Sequence, residues 1–158
     1  MKKLFEDQAD GGFFSTVEGD ENLVMRMKED YDGAEPSGNS VAILALLRLG
    51  DEPAAERALR TFSSKLQTQG TSAPQMVIAL TALQQKAQQV VIAGDRKSAQ
   101  LLIDAAHSKF SPFRVLLLNP ADHPEFTTVE DQAAAWVCKD FTCQLPVTTV
   151  RELNQLLT

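Results

Sequence analysis

Two groups of side chains in this 158-residue chain have types and spacing that can do chemistry. The first is the loop Tyr31-Asp32-Gly33-Ala34-Glu35-Pro36-Ser37-Gly38-Asn39-Ser40, which gathers Tyr31, Asp32, Glu35, Asn39 and Ser40 within ten residues. All five can hydrogen-bond a polyhydroxy ligand, and Asp32 with Glu35 forms a candidate acid/base pair. The competing reading is that Asp32, Ser37 and Asn39 build turns and cap the following helix, because short polar side chains bond nearby backbone. The second group is Cys138 and Cys143, spaced C-x4-C and the only two cysteines of the chain. Redox pairs are typically C-x-x-C at a helix start, where the dipole lowers the thiol pKa. A zinc site needs four ligands, and the two histidines, His107 and His123, sit in unrelated contexts. The plain reading is therefore a buried strand-end thiol and a nearby loop thiol. A reversible disulfide, or half of a metal site, is the alternative.

Other signals are weaker. Gly94-Asp95 follows a strand-like run, but the full G-x-G-x-x-G fingerprint is absent and Asp95 would repel a pyrophosphate. Asp95 reads better as a helix cap, and His107 as a residue suited to the negative end of a helix. No phosphate-binding G-x-x-x-x-G-K-[ST], H-E-x-x-H or G-x-S-x-G motif occurs, so no cofactor and no metal are expected. The formal net charge of −6 and the lack of a Lys/Arg run argue against nucleic acid as a partner. The longest apolar run, Val41 to Leu47, is seven residues, against the ~18 needed to cross a bilayer. The start lacks the apolar stretch of a signal peptide, and two cysteines suit a reducing compartment, so a cytoplasmic location is expected.

The elements that must position these residues are of mixed α/β type. Gly11 to Thr16 and Leu23 to Lys28 read as strands joined by the acidic turn Glu18-Gly19-Asp20-Glu21, a hairpin in which Met25 and Met27 alternate with Arg26 and Lys28. The 31–40 loop leads into a helix from Asn39 or Ser40 to Leu49, apolar nearly all round and so expected to be enclosed, with Gly50 ending it. Asp51 caps a second helix, with Pro53 in its first turn and a stripe of Ala55, Ala58, Leu59, Phe62 and Leu66. Gly70 closes that segment. Ser72-Ala73-Pro74-Gln75 fits a capping box for a third helix striped by Met76, Val77, Leu80 and Leu83. After Gln89 the pattern becomes strand, helix, strand: Val90–Ala93, a helix carrying Ala99, Leu102, Ile103, Ala106 and Phe110, then Arg114–Leu118. Ala134–Cys138 adds a strand, and Thr149-x-x-Glu152 opens a last helix with Leu153, Leu156 and Leu157 inward. The expected division is a hairpin-plus-helical segment, 1–88, and a small α/β segment, 89–158, together one compact unit.

The loop Tyr31 to Ala42, preceded by Gly11-Gly12-Phe13-Phe14, resembles a signature of the spermatogenesis-associated protein 20 family, long proteins with a thioredoxin-like domain. Gln89 to Gly94, Trp136-Val137-Cys138 and Cys143 to Thr148 are similar to that family's C-terminal end. The resemblance implies the last part of a six-hairpin (α/α) toroid akin to the N-acylglucosamine 2-epimerase superfamily, followed by an α/β tail. It also implies that the thioredoxin-like domain and most of a sugar-type cavity are missing here. Helices without their neighbours should then expose apolar stripes, notably Val41 to Leu49, which favours self-association or the remainder of a parent protein as partner.

Three functions follow as expectations. One is a C-terminal structural module with residual carbohydrate-like contacts through Tyr31, Asp32, Glu35, Asn39 and Ser40. Another is a sugar-processing enzyme fragment, epimerase- or glycosidase-like, completed by other chains. The last is a thiol redox accessory built on Cys138 and Cys143.

Overall fold

The computed structural model describes residues 1–19, 22–120, 123–139 and 142–157. Its elements fall into two compact units, Met1–Gln85 and Lys86–Thr158.

Unit 1 is helical. A single turn, α1 (Lys2–Phe5), is followed by α2 (Gly38–Arg48), α3 (Glu52–Thr61), α4 (Ser63–Gln69), a 3₁₀ turn at Gly70–Ser72 and α5 (Pro74–Gln85). The Asp51 carboxylate accepts the Ala54 N–H at 3.3 Å and opens α3, as its type and place before Pro53 predict. Helix α2 packs on both α3 and α5. The small side chains Ala42, Ala55, Ala58 and Ala79 lie buried with Ile43, Leu46, Leu59 and Met76, and Phe13 enters the same core. The expected single helix after Asp51 is broken at Phe62. That residue leaves helical geometry, its N–H bonding Leu59 three residues back, while its ring stays in the core. Helix α2 is not enclosed all round: Ile43 and Leu46 are buried, whereas Val41 is 50% and Leu49 81% exposed.

Among the described residues the expected hairpin does not form. No described residue of 11–28 belongs to a strand, and part of its acidic turn, positions 20 and 21, lies outside the described residues. The two runs meet through Ser15, whose N–H donates to the Met27 carbonyl at 2.8 Å. The 5–14 segment turns back on itself and docks on helices instead. Glu6 and Phe13 form an isolated antiparallel bridge, Glu6 pairs with Arg57 of α3, and the Thr61 hydroxyl donates to the Asp10 carbonyl at 2.6 Å. Gly11 and Gly12 both take positive φ, +78° and +74°, and a Cβ on Gly12 would stand 3.3 Å from Asn39 Oδ1 and from the Phe62 ring. Only glycine combines that backbone with that approach.

Unit 2 is a four-stranded mixed sheet, order β2-β1-β3-β4, made by β1 (Gln89–Ala93), β2 (Val115–Leu118), β3 (Ala134–Lys139) and β4 (Thr142–Cys143). Strands β1 and β2 are parallel, and α6 (Arg96–Ser108) lies between them in sequence. Strand β3 runs antiparallel to β1, pairing Val91 with Trp136. Val90, Ile92, Ala135 and Val137 form one core with Ala99, Leu102 and Ala106 of α6, with Leu153 of α7 (Val150–Leu156) and with Leu157 just after it. Asp95 caps α6 through the Lys97 and Ser98 N–H groups, and the Thr149 hydroxyl accepts the Glu152 N–H at the start of α7, both as the sequence predicts. Phe110 breaks its stripe: α6 ends two residues earlier and the ring is 93% exposed. The carbonyl ends of both helices are closed by cations. Arg114 donates to the Ala106 and Lys109 carbonyls, and Lys109 Nζ to those of Asn154 and Leu157.

The 5–14 segment carries one acid-sensitive contact. The Lys28 ammonium, 2.7 Å away, and then the Asp10 and Ala9 N–H groups hold the Asp7 carboxyl down at about 2. Its unfolded value is near ~3.9, so this contribution is complete above that value and vanishes as pH falls through about 2. Asp7→Asn is expected to lower the urea midpoint of unit 1 at neutral pH. The gap to the unsubstituted chain should close as pH drops from ~4 to ~2. Amide signals of residues 11–14 provide the readout.

Candidate functional site

A helix begins with N–H groups that have no partner within it, and the 31–40 loop supplies partners to two such ends. At α2 the cap is Ser37, not Asn39 or Ser40: its Oγ accepts the Ser40 N–H at 3.3 Å and donates to Ser40 Oγ at 2.8 Å. At α5 the cap comes from 43 residues away in sequence. Asp32 Oδ2 accepts the Gln75 N–H at 2.7 Å and the Met76 N–H at 3.3 Å. The other carboxylate oxygen, Oδ1, accepts the Ser37 N–H at 2.8 Å, and the Asp32 N–H donates to the Ser72 carbonyl at 2.9 Å. The expected Ser72 cap is thereby displaced, its hydroxyl turning back to the Gln69 carbonyl at 2.8 Å. Burial pushes the Asp32 carboxyl up. The Ser37 N–H, the Ser40 side chain, the Gln75 N–H and the Ser37 side chain together outweigh that and hold it below the ordinary carboxylate value.

Asn39 is buried, and its amide works like a short strand. Oδ1 accepts the Phe13 N–H at 2.7 Å, while Nδ2 donates to the Phe13 carbonyl at 2.9 Å and to the Glu29 carbonyl at 2.8 Å. Ser40 is wholly buried beside Ser37. Asp32, Ser37, Asn39 and Ser40 therefore form one polar hub that ties the 11–14 segment, the loop and the starts of α2 and α5 together. Tyr31 and Glu35, by contrast, are exposed. Nothing in the sequence marks Gln75 as a partner of Asp32; the Gly11-Gly12 pair, which lets Phe13 reach Asn39, is the one local signal of this docking.

An open groove of about 410 Å³ lies nearby in unit 1, lined by Asp30, Thr61, Phe62, Ser64, Lys65, Thr68 and Gln69. Lys65 Nζ stands 2.6 Å from Asp30 Oδ1, so its cation is already paired. Sequence reading misses this pair, whose members are 35 residues apart.

In unit 2, Cys138 and Cys143 face each other across β3 and β4 with Cα atoms 3.9 Å apart and are joined as a disulfide. This corrects the reading of two separate thiols. Positions 140 and 141 lie outside the described residues, and the register of the two strands brings the cysteines together. Cys138 is buried and Cys143 exposed. A crosslink closing so short a loop contributes about 2 kcal/mol through chain entropy. The histidines are elsewhere: His107 is exposed on the last turn of α6, and His123 Nδ1 is 3.1 Å from Glu125 Oε1 beside Phe126. Among the described residues no cluster of three or more His, Cys, Asp or Glu is placed to hold a metal ion. No helix among them is long and apolar enough to cross a membrane.

The two loop carboxylates should separate cleanly on substitution. Asp32→Ala leaves the Ser37 and Gln75 N–H groups without their acceptor and is expected to cost about 2 kcal/mol. Glu35→Ala should stay within about 0.5 kcal/mol. Urea denaturation followed at α2 and α5 amides measures both, and equal losses would contradict the assignment of the cap to Asp32.

No protein-family model matches the chain, and no solved structure matches it. Spermatogenesis-associated protein 20 of Homo sapiens is 39% identical over 98% of the chain, and that of Rattus norvegicus 36% over the same share. An uncharacterised protein of Caenorhabditis elegans is 32% identical over 92% of the chain. The chain spans 22% of the length of each of these relatives. Over the segment that they share, the chain is similar to spermatogenesis-associated protein 20.

Proposed function

We propose that this chain is a structural module, the C-terminal part of a larger protein of the spermatogenesis-associated protein 20 family, and that it works by packing against the rest of such a protein. The observation that carries this reading is the state of the 31–40 loop. The hydrogen-bonding atoms of Asp32 and Asn39 are engaged by Ser37, Gln75, Phe13 and Glu29 of the chain itself. A carboxyl held below its ordinary value by backbone N–H groups is ionised near neutral pH and carries no proton to donate as a general acid. The relatives' length supports the second half of the reading, because the chain spans 22% of them. Val41 on α2, Leu49 at its end and Val77 and Ile78 on α5 remain 39–81% exposed, as suits surfaces that meet further chain. Self-association through these side chains is the counterpart when no such chain is supplied.

Carbohydrate-related contacts fall to Tyr31 and Glu35, the exposed members of the loop. The sugar-processing reading is the weaker one, since it needs Asp32 free to exchange a proton. The thiol reading rests on a separate observation, the joined cysteines, and fits a cytoplasmic location only when the bond is reversible.

The test adds this chain to human spermatogenesis-associated protein 20 produced without the matching segment. The expected result is a one-to-one complex by light scattering, with hydrogen-exchange protection gained at Val41, Leu49, Val77 and Ile78. Absence of a complex, together with Asp32-dependent binding of a free monosaccharide, would overturn the proposal.

A further inference from the structure

The disulfide lies where a reversible one is placed. Strand β4 is the edge of the sheet, two residues long, and meets β3 in only two register pairs, Cys138 with Cys143 and Lys139 with Thr142. Both β4 residues are exposed, so one sulfur of the bond belongs to an accessible edge while the other belongs to a buried position of β3. The neighbouring backbone does not depend on the crosslink. Gln144 donates its N–H to the Val137 carbonyl at 3.0 Å, and Ala135 and Val147 exchange bonds of 2.8 and 3.0 Å. Beyond them, α7 is fixed by Leu153 and Leu157 in the unit 2 core. Opening the bond therefore frees a short edge and leaves the sheet standing.

We propose that the Cys138–Cys143 disulfide is a thiol-exchange site that takes a dithiol reductant at Cys143 Sγ. One thiolate of the reductant attacks that sulfur, a bond forms between them, and the Cys138–Cys143 bond breaks with its electron pair leaving on Cys138 Sγ. The second thiolate of the reductant then attacks its own sulfur in the mixed disulfide, and the electron pair of that bond leaves on Cys143 Sγ. The reductant ends as a disulfide, oxidised by two electrons. Its two protons end on Cys138 and Cys143, now thiols. Attack at Cys143 is set by access, since Cys138 is enclosed while its partner faces outward. The inference stands apart from the structural-module reading: it invokes unit 2 side chains alone and holds whether or not the chain joins a longer protein.

The test is made on the whole chain under native conditions. Protein isolated with rapid thiol alkylation is first checked by mass for the intact bond, then equilibrated with dithiothreitol redox buffers. The expected result is complete reduction while the amides of Val90 to Ile92 keep their exchange protection and those of the β4 edge lose it. Brief exposure to glutathione should place the adduct on Cys143, located by peptide mass. The Cys138→Ser/Cys143→Ser variant should reproduce the reduced chain's exchange pattern, with unit 2 still folded. Isolation with both cysteines as thiols, reduction only when β1 loses protection, or an adduct on Cys138 would each overturn the proposal.

Discussion

Everything in unit 1 depends on how a buried amide and a half-buried carboxylate are satisfied. A polar side chain taken out of water costs about 1–3 kcal/mol for each bond it fails to make, so such groups persist only where every partner is present. Asn39 meets that demand by pairing with both the N–H and the carbonyl of Phe13, and with Glu29. Asp32 meets it by spanning two helix starts, with Ser37 on one oxygen and Gln75 on the other. The chain on either side has little freedom after that. Phe13 is drawn into the core, the glycines before it must take positive φ, and the loop must run past the end of α5. Unit 2 repeats the device: the Asn119 amide accepts the Gly94 N–H at 2.9 Å and donates to the Gly94 carbonyl at 2.5 Å, tying the end of β2 to the turn that launches α6.

This economy also decides what the loop can do. A ligand competing for Asp32 or Asn39 would have to replace bonds that hold two helices and the 11–14 segment, so binding there would loosen the fold it relies on. Five side chains that look like a sugar site in the sequence divide, in the structure, into three that are spent on architecture and two that face outward. The polar density of the loop thus has a mechanical explanation. The chemically distinctive bond of the chain lies instead in unit 2, at the sheet edge.

Local signals were legible and distant ones were not. Asp51, Asp95 and Thr149 cap the helices that follow them, because the cap and its N–H partners lie within three residues and no other group intervenes. Ser72 satisfies the same pattern yet loses its place to Asp32, a residue 40 positions earlier that only the folded chain brings near. The alternation from Leu23 to Lys28 reads as a strand, but pairing needs a second strand in register, and the 10–14 segment is already claimed by Asn39 and α3. Phe110 fits a helical stripe by spacing and falls outside it because α6 stops at Ser108. The cysteine spacing matched no helical redox motif, since the two meet across an antiparallel pair, a geometry that depends on the register of β3 with β4.

The measurement that bears most directly on this account is the titration of the Asp32 carboxyl in the folded chain, followed by carbon NMR of its side chain. A midpoint below the ordinary ~3.9, rising toward it when Ser37 and Ser40 are both replaced by alanine, is the predicted result. A midpoint above that value would mean that burial prevails over the N–H donors and the serine side chains. The donors would then not hold the carboxylate, and Asp32 would lose its place as the anchor of two helices.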